Sequence, residues 1–196
     1  MVYENTTGGW EVTEPVRIPT AKPAIELIDG RLVQKMSPQT RHQVLEKRWT
    51  RALDAWAGAR GESLAESRFQ FRAPGRAFGS LVPDVAFLSR AALNEFGPAA
   101  SEIPPCPPEI AVEILSPGDS QRRLEWKIGA YLAAGTRVIF VVDPPNRTVI
   151  AYDRRHVAIG EYNGARFGPG DTVTHAAMPG FAYAVDAMFE GLYLGD

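Results

Sequence analysis

Short apolar runs alternate with clusters of turn-forming residues along most of the chain, and a helical stripe stands near its start. Residues 1–22 show little periodicity and read as an arm in front of one domain spanning 23–196. AIELIDGRLVQKM reads as a β-hairpin, because Asp29-Gly30 is a two-residue turn signal between apolar runs. Over about 38–59, Leu45, Trp49, Ala52, Leu53 and Trp56 recur at spacings of three and four. That spacing predicts an amphipathic helix, with Ser37 as its N-cap and Pro38 in its first turn. Strands are expected around 62–72 and 81–88, on either side of the turn-rich APGRAFGS. GPAASEIPPCPPE reads as a loop, because its prolines suit neither a helix nor a central strand. EIAVEIL is almost wholly apolar, the pattern of a strand buried on both faces. SPGDSQ then turns into a helix, QRRLEWKIGAYLAAG, closed by Gly135. RVIFVVD and TVIAYD follow as strands joined by PPNR, before a tail of short strands, turns and a last short helix in FAYAVDAMFEGLYL. The order of elements indicates an α/β (α+β) fold, a mixed sheet flanked by helices.

Composition narrows this picture. The 196 residues are 45% hydrophobic and 22% charged, which is ordinary for one globular domain and excludes wholesale disorder. The single cysteine excludes a disulfide framework and a cysteine-rich zinc site and fits a reducing cytosol. Cys106 itself, set among prolines, reads as incidental. No apolar run approaches the roughly 18 residues that span a bilayer, and MVYENTTGGWEVTEP lacks the features of a signal peptide. A cytoplasmic protein with no membrane partner is the expectation. The net charge of −2 argues against a nucleic-acid partner, but its distribution argues otherwise. Between Arg31 and Arg76 stand ten Lys/Arg against four acids. Such a segment is either a surface for a polyanion or a solvated helix face. Arg41, Lys47, Arg68 and Arg72 are its candidates for phosphate contact.

Two acids interrupt apolar strands: Asp84 in LVPDVAFL and Glu113 in EIAVEIL. A buried carboxylate without a cation is costly, so a partner in the protein or a bound metal is expected for each, with a structural salt bridge or a strand-end position as the plain alternative. Lys127 falls on the edge of the stripe formed by Leu124, Ile128, Tyr131 and Leu132, which leads it toward the sheet and the strand bearing Glu113. Two carboxylates and a lysine can hold a divalent cation and polarise water or phosphate; equally, Lys127 can simply neutralise Glu113. His42 lies within the apolar stripe of the first helix, one turn before Glu46. A hydrogen-bonded core histidine and a surface glutamate are the plain alternatives for these two. His156 and His175 lack metal-ligand spacing, and no HExxH, Walker-type, GxGxxG or GxSxG pattern occurs.

The run PDVAFLSR, then EIAVEILSPGDSQRRLEWKIGAYLAAGTRVIFVVDPPNRTVIAYD, resembles the Uma-two family of bacterial restriction-endonuclease-like proteins, within the PD-(D/E)XK nuclease superfamily. The resemblance extends from IELIDGRLVQKMSPQTRHQ to MPGFAYAVDAMF. It implies a restriction-endonuclease-like core and a Mg²⁺- or Mn²⁺-dependent DNA endonuclease. It also implies that Pro83-Asp84 supplies the proline-aspartate and Glu113 the strand acid, both as metal ligands. In the superfamily the lysine commonly stands two residues after that acid, where this chain has Leu115; in the family resembled it has moved to the next helix, which matches Lys127. A first-helix acid sometimes joins the site, which makes Glu46 a candidate. DNA read with little sequence specificity is the expected partner, with a homodimer as the candidate assembly. A nuclease fold that binds nucleic acid or protein without cleaving, and an enzyme acting on another phosphodiester, are the rival readings.

Overall fold

The computed structural model describes residues 4–6, 9–11, 18, 21–37, 39–73, 78–98, 102–156 and 163–192. Strands β1 (Glu4–Thr6) and β2 (Gly9–Glu11) form a separate two-stranded ladder. The hairpin forms where Asp29-Gly30 places it, between β3 (Ile25–Ile28) and β4 (Arg31–Gln34). Asp29 and Gly30 both have positive φ, 50° and 71°, the geometry whose twist matches the flanking strands. Helix α1 (Thr40–Ala57) buries His42, Leu45, Trp49, Leu53 and Ala57, one stripe at helical spacing. It starts later than its pattern suggests. Gln39 is the last extended residue and the N-cap, so Ser37 does not cap the helix; residue 38 lies outside the described residues.

Each of the two strands expected around 62–72 and 81–88 is two strands in different sheets. The first divides into β5 (Gly61–Ala65) and β6 (Phe69–Arg72), the second into β7 (Phe78–Leu81) and β8 (Val85–Ser89). The first break is at Glu66, whose φ of 45° takes the backbone out of the extended region. The second is at Pro83, which cannot donate to a ladder. Helix α2 (Arg90–Phe96), capped by Ser89 Oγ accepting from the Ala92 N–H, follows at once. Its seven residues bury none of their side chains fully, which leaves no stripe for a sequence to show.

Residues 103–109 form no helix or strand. Next come β9 (Ile110–Ile114), buried throughout, α3 (Gln121–Ala134), β10 (Val138–Asp143) and β11 (Thr148–Tyr152). Gly135, at φ 122°, closes α3 as expected. The chain continues through β12 (Ala165–Phe167), β13 (Thr172–Val173), β14 (Tyr183–Ala184) and the short α4 (Val185–Phe189).

A six-stranded sheet in the order β12-β11-β10-β9-β8-β5 forms the centre. It is mixed: β9 and β10 are parallel with α3 as their crossover, and the other neighbours are antiparallel. One face packs on α1 and on residues 173–189. The other packs on α3 and on a four-stranded sheet ordered β4-β3-β7-β6, through Ile28, Phe69, Phe71 and Leu81. Both faces are covered, so a polar side chain pointing off β8 or β9 is buried wherever it points.

Candidate active site

The register of β8 on β9 decides which acids meet. Val85 pairs with Val112, so one step further the antiparallel ladder sets Asp84 opposite Glu113. Alternation along β9 puts Glu113 on the same face as Ala111, the face that carries α3 and the second sheet. The two carboxylates that the sequence singles out therefore meet at the C-terminal end of β9. Both are deeply recessed, Asp84 at 2% and Glu113 at 6% exposure.

Each is met by protein cations. Lys127, on the face of α3 turned to the sheet, places Nζ 2.6 Å from Glu113 Oε2. Tyr131, one turn on, donates its hydroxyl to Glu113 Oε1 at 3.1 Å. Asp84 Oδ1 lies 2.6 Å from Lys35 Nζ and 3.2 Å from His42 Nε2, while Oδ2 accepts the Ile114 N–H at 2.6 Å. His42 Nδ1 stands 3.2 Å from Ser116 Oγ. Lys35 also donates to the Val82 carbonyl at 2.9 Å.

Two members of this cluster were not picked out from the sequence. Glu26 on β3 accepts the Val82 N–H at 2.7 Å and faces Lys127 at 3.1 Å, so Lys127 lies between carboxylates from two different sheets. Its signature, an acid inside the apolar IELI, is the one that exposed Asp84 and Glu113. Lys35 has no such signature, because a lysine just past an edge strand reads as a solvated end.

Charge balance sets the protonation of the group. Burial pushes the Glu113 carboxyl up to about 7; Lys127 opposes the shift, and the nearby Asp84 and Glu26 carboxylates reinforce it. Burial acts on Asp84 in the same direction, but the Lys35 ammonium and the His42 hydrogen bond hold it well below the usual carboxylate range. Lys35 and Lys127 are raised despite burial, by the acids around them, so both stay protonated and Glu113 is the member of its pair that titrates. His42 is raised by its hydrogen bond to Asp84 and by that carboxylate's charge, against burial.

A cleft of about 130 Å³ opens onto this cluster, and Glu66, Asp119 and Arg123 stand among its lining residues. Glu46 does not line it; the residue is half-buried on α1 and raised by burial and by the charges of Glu66 and Asp84. The four candidate phosphate contacts are not brought to it either. Arg68 turns over the second sheet and donates to Ser80 Oγ at 2.9 Å, whereas Arg72 and Lys47 are exposed and half-buried Arg41 is not among the residues lining the cleft. His156 and His175 meet at Asp153, 2.9 and 3.2 Å from its oxygens. The Ala177 N–H donates to His175 Nδ1, which turns Nε2–H toward Asp153 and makes the group a link from β11 to the C-terminal segment.

A family model described as "Putative restriction endonuclease", Uma2, matches residues 12–186. The chain belongs to the Uma2 family. No curated protein matches it. Among solved structures, this Uma2 chain is similar to one from Anabaena variabilis ATCC 29413, described as "a putative nuclease belonging to DUF820". The TM-score is 0.74 at 23% identity, over 88% of this chain and 93% of the other. That likeness fixes the fold, a mixed sheet flanked by helices. No helix among the described residues is long and apolar enough to cross a membrane.

Restriction-endonuclease-like nucleases generally use divalent metals, and the site answers that requirement in chemistry more fully than in arrangement. Its donors are carboxylate oxygens, which suit a hard cation. Three buried carboxylates, Glu26, Asp84 and Glu113, face the two ammonium groups of Lys35 and Lys127. Yet among the described residues no three His, Cys, Asp or Glu are placed to enclose an ion. The ammonium groups of Lys35 and Lys127 stand against the oxygens that would face one.

Proposed function

We propose that this Uma2 protein is a metal-dependent phosphodiesterase acting on DNA. The observation that carries the reading is the convergence of Asp84, Glu113 and Lys127 from two paired strands and one helix at the base of a single cleft. Asp84 and Glu113 would hold Mg²⁺ or Mn²⁺, which supplies an activated water and offsets charge on the phosphate. His42 and the Ile114 N–H fix the orientation of Asp84. Lys127 brings positive charge to where a pentavalent phosphate would develop negative charge, and Tyr131 holds Glu113 beside it. The recess keeps bulk water from screening these charges. Arg123, exposed at the cleft, is placed to meet a flanking phosphate.

The test is incubation of purified protein with plasmid, linear duplex and single-stranded DNA, each with Mg²⁺, Mn²⁺ or chelator. Cleavage that needs a divalent ion and is lost in Asp84→Ala supports the reading; no cleavage of any substrate with either ion refutes it. One observation favours a second reading, a nuclease fold that binds without cleaving. Lys127 is bonded directly to Glu113 and Lys35 to Asp84, so the carboxylates already have protein counter-ions. Under that reading Asp84→Ala loses stability while nucleic-acid binding persists and calorimetry detects no divalent ion.

A further inference from the structure

We infer that Lys35 is a resident counter-ion of Asp84 which a divalent cation must displace, so that loading of the site is gated by the β3–β4 hairpin. The inference rests on the metal-dependent reading above and adds the regulation of that site. It follows from which partners of Asp84 can move. Oδ2 is fixed by a backbone N–H, and the His42 ring on Oδ1 is held from behind by Ser116 Oγ. The carboxylate therefore cannot rotate to offer another oxygen without breaking bonds on both sides. Lys35 is the remaining partner, a flexible four-carbon stem carrying three donors. Its ammonium stands 2.6 Å from Oδ1 at the cleft lining, where a cation approaching Asp84 has to arrive.

Lys35 belongs to a different sheet from the strands it serves, and its ammonium has one further bond, to the Val82 carbonyl at 2.9 Å. It comes just after β4, an edge strand of the smaller sheet, and its backbone N–H bonds Ala24 of the same hairpin at 2.8 Å. Met36 and Ser37 beyond it are exposed. Glu66 and Asp119 line the same cleft as Lys35 and offer other carboxylates to an ammonium released from Asp84. Lys127 differs: it is bonded to Glu113 and Glu26 on both sides and springs from the middle of a buried helix face.

Calorimetry with Mn²⁺ on the full chain compares the parent with Lys35→Met and Lys35→Gln, the second in case the first does not fold. A site available only part of the time loses apparent affinity in proportion, so removing Lys35 should tighten Mn²⁺ binding at least ~10-fold. Arg123→Met, which removes a cleft charge that does not touch Asp84, should change it less than ~3-fold, as a solvent-screened charge does. Acetylation of the parent protein, read by mass spectrometry, needs no variant. Saturating Mn²⁺ should raise labelling of Lys35 several-fold, leave Lys127 protected, and leave exposed Lys22 and Lys47 unchanged. The inference is overturned if Mn²⁺ binds but Lys35 labelling stays flat, or if the Lys35 variants bind no tighter than Arg123→Met. If no protein binds Mn²⁺, the metal-dependent reading fails and this inference fails with it, a result distinct from the other two.

Discussion

Burial of Glu113, opposed by Lys127 and reinforced by Asp84 and Glu26, puts its carboxyl at about 7, against an ordinary value of 4.5. Between those values the folded chain binds more protons than the unfolded one, so this residue makes stability fall as pH rises from about 4.5 to about 7. His42, raised above 6.5, acts in the same direction but only above that pH. Asp84, depressed, contributes stability that is lost only as pH falls through the acid range. Glu113→Gln should therefore flatten the thermal stability profile between pH 4.5 and 6.5 and leave the His42 slope above it. An unchanged slope in melts across that range would show that Glu113 is not the titrating group. Lys127→Met strands two buried carboxylates and should cost ~3–5 kcal/mol in urea unfolding, with part recovered by adding Glu113→Gln. A loss below ~1 kcal/mol would mean the pair contributes little to the fold. The sequence alone left Lys127 with either a structural or a chemical role; its two carboxylate partners explain why, since one ammonium can fill both.

Legibility of the elements followed the strength of their local chemistry. Asp29-Gly30 marked its hairpin, the three-four spacing marked α1 and α3, and an almost wholly apolar run marked β9, because each signal is short-range. The division of the two long strands was hidden, because Glu66 turns the chain without a glycine and Pro83 stands where an edge proline would also be tolerated. What remained invisible was tertiary: that β3 crosses to the cleft with Glu26, and that Lys35 meets Asp84, 49 residues further along the chain. The β5–β8 pairing offers a test at this scale. Gly61 has an extended backbone, so its need is for space: a Cβ there would overlap the Leu88 carbonyl oxygen and the Phe87 ring. Gly61→Ala should cost at least the ~1–3 kcal/mol of ordinary overpacking, since backbone must shift, and calorimetric melting checks it. A parent-like Tm would mean that β5 is free to separate from β8.

For the molecule as a whole, the described basic residues of the segment 31–76 are spread across several elements. Arg68 lies over the second sheet, and Arg48 donates to the Met188 carbonyl at 2.7 Å. Arg123, from outside that segment, stands at the cleft. Arg123→Ala should therefore weaken DNA binding and reduce its salt slope by about one unit, while Arg68→Ala leaves the slope alone. Fluorescence anisotropy against salt checks both, and the reverse ranking would move the bound strand to the second sheet. The packing beneath α1 has another consequence. Val173, Met178, Phe181, Val185, Met188 and Phe189 complete the core on that face, and Trp56 bonds the Pro179 carbonyl across it. A ribosome adding about 5–20 residues per second delivers this cover only after all six central strands. Until it emerges, the nascent chain carries α1 and six central strands around an open apolar floor, a surface suited to chaperone capture and prone to self-association.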